Sequence, residues 1–202
     1  MMVARSREEL EKRYGHVIEE EDFYWVKTQK GYAKFLKPRT LEQVKEILRL
    51  TGFPERYISL LENLRRTRAI ELALKTRKGL LLRGPAGTGK TTACVFRIAK
   101  GLQNYEVNTP LYVSAFDFEP EKVNTLKHHS DCLLIDDLNT RVLHPTRLNI
   151  LLELIYHAHA KEKKLFITTN EKELKLPEPV LSRISEMCRI FKVDGKDMRL
   201  EV

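Results

Sequence analysis

The apolar positions change period several times along the chain, and each change marks a predicted element. Residues 1 to 20 are strongly charged and read as a short helix or tail. From Asp22 to Pro38 the stretch "DFYWVKTQKGYAKFLKP" alternates apolar and polar positions, which predicts two strands turning near Gln29-Lys30-Gly31. Thr40 then opens a helix with the capping-box spacing Thr40-x-x-Gln43; Leu41, Val44 and Leu48 share a face until Gly52 ends it. Pro54 suits the first turn of a further helical region carrying Ile58, Leu61 and Leu64, and another helix is expected around residues 68 to 78. Beyond it, the apolar run Gly79-Leu80-Leu81-Leu82 has the look of a buried strand. Four more strand-like runs follow, "PLYVSAF", "CLLIDD", "KLFITTN" and "RIFKV", separated by helical or loop segments. Strands alternating with helices predict an α/β fold whose parallel sheet is covered on both faces.

Composition narrows the setting. The 202 residues, 42% of them apolar, suffice for one sizeable core and a small appendage. Cys94, Cys132 and Cys188 lack metal-ligand spacing and leave an odd thiol, as expected of small buried residues in a reducing compartment rather than of a disulfide framework. The first residues lack the apolar core of a signal peptide, and no apolar run approaches the about 20 residues that span a bilayer, so a cytoplasmic protein without membrane contact is expected. A formal net charge of +8 favours a polyanionic partner, although basic solvated helices alone would also account for it.

Chemistry enters at "RGPAGTGKTTA". Gly84, Pro85, Ala86, Gly87, Thr88, Gly89, Lys90, Thr91 and Thr92 follow a buried run and open a helix, in the G-x-x-x-x-G-K-T pattern of a P-loop. The glycines let backbone N–H groups face phosphate oxygens, Lys90 reaches the terminal phosphates, and the Thr91 hydroxyl is placed for Mg²⁺. ATP and Mg²⁺ are therefore the expected ligands. Some forty-five residues later "DCLLIDDL" ends a buried strand in two carboxylates. In that order Asp136 is expected to hold Mg²⁺ and Asp137 to polarise an attacking water, where an isolated Asp-Asp could equally be a strand-end cap. "LFITTN" delivers Asn170 to the same sheet edge, either to position that water or as a plain turn residue.

Together with "GFPERYISLLENL", "LSRI" and "VDGKDMRL", these motifs make residues 51 to 199 resemble the AAA+ ATPases of the DnaC/DnaI/IstB group, bacterial helicase loaders and transposition helpers. The resemblance covers about three quarters of the chain. It implies an AAA+ three-layer sandwich with a five-stranded parallel sheet, spanning residues 51 to 202, behind a small N-terminal region of residues 1 to 50 that docks a partner. It further implies ATP hydrolysis that depends on assembly or on partner stimulation, with Asn170 as sensor 1, Arg183 as an arginine finger reaching a neighbouring subunit's ATP, and Arg199 as a sensor 2 or structural arginine. The implied partners are a DnaB-like replicative DNA helicase, single-stranded DNA and further copies of the chain in an ATP-dependent homo-oligomer. A transposition helper that binds duplex DNA is the alternative, and a nonhydrolytic ATP-gated interaction module is a third reading. A small-molecule kinase is disfavoured by the lack of an arginine-rich lid.

Three features depart from the group's pattern. "FEPEKVNTLKHHS" is short where helicase loaders insert an extra helix that tracks single-stranded DNA. The N-terminal region has no paired cysteines for zinc, and His157 and His159, two apart on a predicted helix, do not share a face. Ala158 stands near a position where relatives often carry arginine. The N-terminal hairpin also holds Tyr24, Trp25, Tyr32 and Phe35, more aromatic surface than a lone hairpin buries, which suggests either packing onto the helix at 41 to 50 or the ATPase core, or a docking surface for the helicase.

Overall fold

The computed structural model describes residues 2–4 and 6–195. The N-terminal hairpin is part of a larger unit than its periodicity predicts. β3 (Phe23–Thr28) and β4 (Gly31–Leu36) are antiparallel, β2 (Val17–Glu19) adds to β3, and β1 (Met2–Val3) pairs parallel with β4. Helix α1 (Arg7–Tyr14), capped by the Ser6 hydroxyl, covers one face of this four-stranded sheet. The result is a separate small core of Ala4, Leu10, Val17, Tyr24, Val26 and Phe35, with Tyr14 packed against it. Two of the four aromatics expected at the surface, Tyr24 and Phe35, are thus buried, because strand alternation points them toward α1; Trp25 is half-buried and Tyr32 is 64% exposed.

Helix α2 (Leu41–Leu50) carries the expected capping box: the Gln43 backbone N–H donates to Thr40 Oγ1 at 3.3 Å and the Thr40 N–H to Gln43 Oε1 at 2.9 Å. Such a cap contributes about 1 kcal/mol. Val44 and Leu48 pack in the same core as the helix that follows the P-loop. α2 therefore belongs by packing with the larger unit, whereas the sequence division at residue 50 groups it with the appendage. After α3 (Glu55–Ile58) and a 3₁₀ turn (Ser59–Leu61), α4 (Arg68–Leu74) ends short of the expected residue 78.

The larger unit is a five-stranded, all-parallel sheet in the order β6-β7-β8-β5-β9, formed by β5 (Gly79–Arg83), β6 (Pro110–Ser114), β7 (Cys132–Asp136), β8 (Lys164–Thr169) and β9 (Cys188–Lys192). Strands buried on both faces read as continuous apolar runs, and their alternation sends neighbours to opposite sides. Leu80, Leu82, Leu134 and Phe166 meet α2, α4 and α5 (Lys90–Gln103) on one face. Leu81, Leu133, Ile135, Leu165 and Ile167 meet α7 (Pro145–Ala160) and α8 (Glu178–Met187) on the other, where α6 (Pro120–Leu126) contributes Val123. Cys94, Cys132 and Cys188 are free and buried in these two layers, and burial raises the pKa of each thiol. No helix among the described residues is long and apolar enough to cross a membrane.

Candidate nucleotide site

Strand order places the chemistry. Because β8 lies between β7 and β5, the carboxyl ends of all three open side by side, and the segments leaving them meet at one edge. The loop after β5 passes so close to the end of the sheet that a Cβ on Gly84 would stand 2.0 Å from the Val193 carbonyl oxygen. Only glycine fits there. Gly89 caps α5 in the left-handed region at φ 77°, which turns the last loop amides and the positive end of a 14-residue helix toward the same cavity.

Lys90, 6% exposed, opens that helix and folds back over the loop. Its ammonium donates to the carbonyls of Gly84 (2.9 Å) and Pro85 (2.7 Å) and to Asn170 Oδ1 (2.9 Å). Asn170, at the end of β8, in turn donates from Nδ2 to Asp137 Oδ1 at 3.0 Å. Lys90, Asn170 and Asp137 therefore form one chain across the site. Asp137 leaves β7 with φ 59°, a left-handed turn fixed by its own N–H donating to Thr168 Oγ1 (2.9 Å) and by the Leu138 N–H donating to the Thr168 carbonyl (2.8 Å). That turn carries Asp137 into the cavity wall.

Asp136 is almost fully buried and satisfied by hydroxyls. Thr91 Oγ1 (2.7 Å) and Thr168 Oγ1 (2.6 Å) donate to its Oδ1, and the Tyr112 phenol (2.8 Å) donates to Oδ2. A single carboxylate beside a threonine hydroxyl, next to a phosphate cradle, is the donor set suited to Mg²⁺, which keeps most of its waters and takes its other ligands from phosphates. The residues present fit Mg²⁺ and a nucleoside triphosphate.

The cavity, about 950 Å³, is lined by Ala86 to Thr92 along the loop and by Asp136, Asp137 and Asn170 at its floor. Its remaining lining includes an apolar wall of Tyr57, Leu60, Leu64 and Ile70, together with polar Asn63, Thr67 and Ser114 and the cations of Arg56, Arg65 and Arg66. The apolar wall is the part of the site able to take a base. Sequence reading missed this wall and Tyr112. The signal for Tyr112 lies in "PLYVSAF", where alternation puts Tyr112 and Ser114 on the face away from Leu111 and Val113, and Ser114 pairs in register with Asp136.

Arg183 is not brought to this cavity. It sits on α8, where its Nη1 donates to the Pro179 carbonyl at 2.7 Å and its half-buried guanidinium stacks 4.6 Å from the exposed Tyr156 ring. Arg199 lies outside the described residues. The two histidines of α7 point apart as expected: His159 meets Glu186 at 2.8 Å, while the His157 ring stands edge-on to His128 at 4.9 Å.

No family model matches the chain, and no curated protein matches it. Solved structures share its fold. AMPPCP-bound DnaA from Aquifex aeolicus is 17% identical and superposes with a TM-score of 0.52, covering 68% of this chain and 51% of that one. A replication initiator DnaA bound to AMPPCP and single-stranded DNA gives 0.51 at 17% identity, over 67% of this chain and 50% of that one. The crystal structure of the DnaC helicase loader is 19% identical, covering 78% of this chain and 93% of that chain, with a TM-score of 0.47. This chain spans about half the length of the two DnaA structures. The two DnaA structures share the fold of the five-stranded parallel-sheet unit.

Proposed function

We propose that this AAA+-fold protein is an ATP-hydrolysing helicase loader in DNA replication, binding a DnaB-like replicative helicase and single-stranded DNA and acting as an ATP-dependent homo-oligomer in the cytoplasm. The observation that carries the reading is the hydrogen-bonded chain from Lys90 through Asn170 to Asp137, set beside the Thr91–Asp136 pair. It joins a group that holds phosphate to a carboxylate that acts on water.

In this reading the loop amides and Lys90 bind the phosphates, which exchange for the carbonyl and amide oxygens that Lys90 now meets. Thr91 and Asp136 would hold Mg²⁺, whose charge draws electron density from the β- and γ-phosphates. Asp137 accepts a hydrogen bond from the attacking water and, steadied by Asn170, holds it in line with the γ-phosphorus. Because Arg183 is on a different face from the cavity, it serves the site of an adjoining copy, where its fork of donors meets charge developing on the phosphoryl oxygens. Turnover then depends on assembly. The N-terminal unit, residues 2–36, makes the partner contacts, and Arg199 remains a proposed nucleotide contact.

The test is light scattering of the full chain with the host replicative helicase, with and without ATP. An ATP-dependent complex supports the reading. A chain that ignores the helicase and binds duplex DNA would replace it with the transposition-helper reading, and partner binding without turnover under any stimulus would replace it with a nonhydrolytic module.

A further inference from the structure

The N-terminal sheet has two faces, and α1 covers one of them. On the other, alternation aligns Ile18 of β2, Phe23, Trp25 and Lys27 of β3, and Tyr32, Lys34 and Leu36 of β4. The main packing partners of β2, β3 and β4 are one another, β1 and α1, and Tyr32 and Ile18 on this face are 64% and 42% exposed. The register interleaves aromatics with cations: Trp25 lies directly across from Lys34, and Lys27 across from Tyr32. Phe23 and Trp25 are edge-to-face at 5.6 Å, and the Lys34 ammonium rests 3.7 Å above the Phe23 ring. None of the seven outward positions is acidic. The carboxylates of Glu20, Glu21 and Asp22 gather in the turn between β2 and β3, whereas Lys27 and Lys30 lie at the opposite end of the hairpin and Lys34, midway along β4, extends its ammonium to the Phe23 ring.

We infer that this face binds single-stranded nucleic acid, with bases on the rings of Trp25, Tyr32 and Phe23 and phosphates on Lys27 and Lys34. The inference rests on the reading above that single-stranded DNA is a partner, and it names the surface that takes it. A ring beside a cation suits a nucleotide, which brings a π-face and a phosphate together. The core of a protein interface, in contrast, is depleted in lysine. Spacing agrees: alternate residues of a strand advance about 6.7 Å, roughly twice the ~3.4 Å between charges along one strand of B-form DNA, so successive rings meet bases that have come unstacked. Lys27 and Lys30 anchor one phosphate at the turn between β3 and β4, and Lys34 meets another farther along the face.

Trp25 is the chain's only tryptophan, so its fluorescence reports on this face alone. Oligo(dT) titrated into the full chain should quench that emission to saturation, and a labelled oligonucleotide should give the same affinity by anisotropy. Neutralising two phosphates predicts a log–log salt slope of about −1.4. The double variant Lys27→Glu/Lys34→Glu should weaken oligo(dT) binding at least about tenfold, and Tyr32→Ala about fivefold. Both should keep wild-type affinity for an ATP analogue and the wild-type circular dichroism spectrum, which together show that the two units fold. Anisotropy that reports binding with Trp25 emission unchanged and the double variant unaffected overturns the assignment but leaves the loader reading standing, with DNA held elsewhere. No oligo(dT) binding by either method at low salt removes both the face and the single-strand reading. A double variant that loses the helicase but keeps the oligonucleotide makes this a protein-docking face and also overturns the inference.

Discussion

The Tyr112 phenol donates to Asp136 Oδ2 at 2.8 Å, leaving Oδ1 of the same carboxylate to face Thr91. Burial, reinforced by the Asp136 charge, pushes the phenol's pKa well above its ordinary value, so Tyr112 is a permanent donor. It holds the carboxylate in one rotation. Tyr112→Phe keeps the ring against Phe53, 5.4 Å away, and removes only that bond. The Mg²⁺ concentration needed for half-maximal ATP binding should rise about fivefold, on the order of 1 kcal/mol, while ATP affinity in EDTA stays within about twofold. An unchanged Mg²⁺ titration would show that Tyr112 has no positioning role.

Lys90→Ala removes the ammonium that joins the loop carbonyls to Asn170. Mg-ATP affinity measured by calorimetry should fall at least about tenfold, on the order of 1.4 kcal/mol. Wild-type affinity in this variant would mean that the phosphates bind elsewhere.

Asp137→Asn and Arg183→Ala separate binding from turnover. Each should leave ATP affinity near wild type and lower stimulated hydrolysis roughly 10²-fold or more, since both groups act on the transition state. Mixing the two variants should restore part of the activity in steady-state assays, because a mixed assembly juxtaposes an intact Asp137 with an intact Arg183. Absence of rescue at every ratio would place Arg183 outside the reaction.

His157 makes stability sensitive to acid. Burial, with Lys163, His128 and Lys127 adding to it, lowers its pKa, and its Nε2 is buried without a hydrogen-bond partner. The unfolded chain takes up this proton below about pH 6.5 while the folded one resists it, so the contribution of neutral His157 is present above that pH and declines as pH falls. Between about pH 8 and pH 5, the thermal midpoint should drop more steeply for the wild type than for His157→Leu. Parallel curves would assign the acid sensitivity to other groups.

The P-loop, the two carboxylates and Asn170 were legible because each belongs to one contiguous strand-and-turn segment whose spacing encodes its own geometry. Buried parallel strands likewise announce themselves, since both faces must be apolar. The capping box of α2 was readable for the same local reason, yet the side on which α2 belongs was not, because Val44 and Leu48 would suit any apolar surface. The N-terminal sheet was half visible: β1 and β2 contain two and three residues, too few to show a period, and only their pairing with β4 and β3 makes them strands. That pairing, and α1 packed over it, buried Tyr24 and Phe35 and left Trp25 and Tyr32 on the opposite face. Tyr112 and the apolar wall from Tyr57 to Ile70 reach the nucleotide cavity from far along the chain, and Arg183 is held away from it against Tyr156. Hydrogen-bond spacing along one segment fixes what that segment can bind, whereas which distant side chains share the site depends on the strand order, a property of the whole sheet.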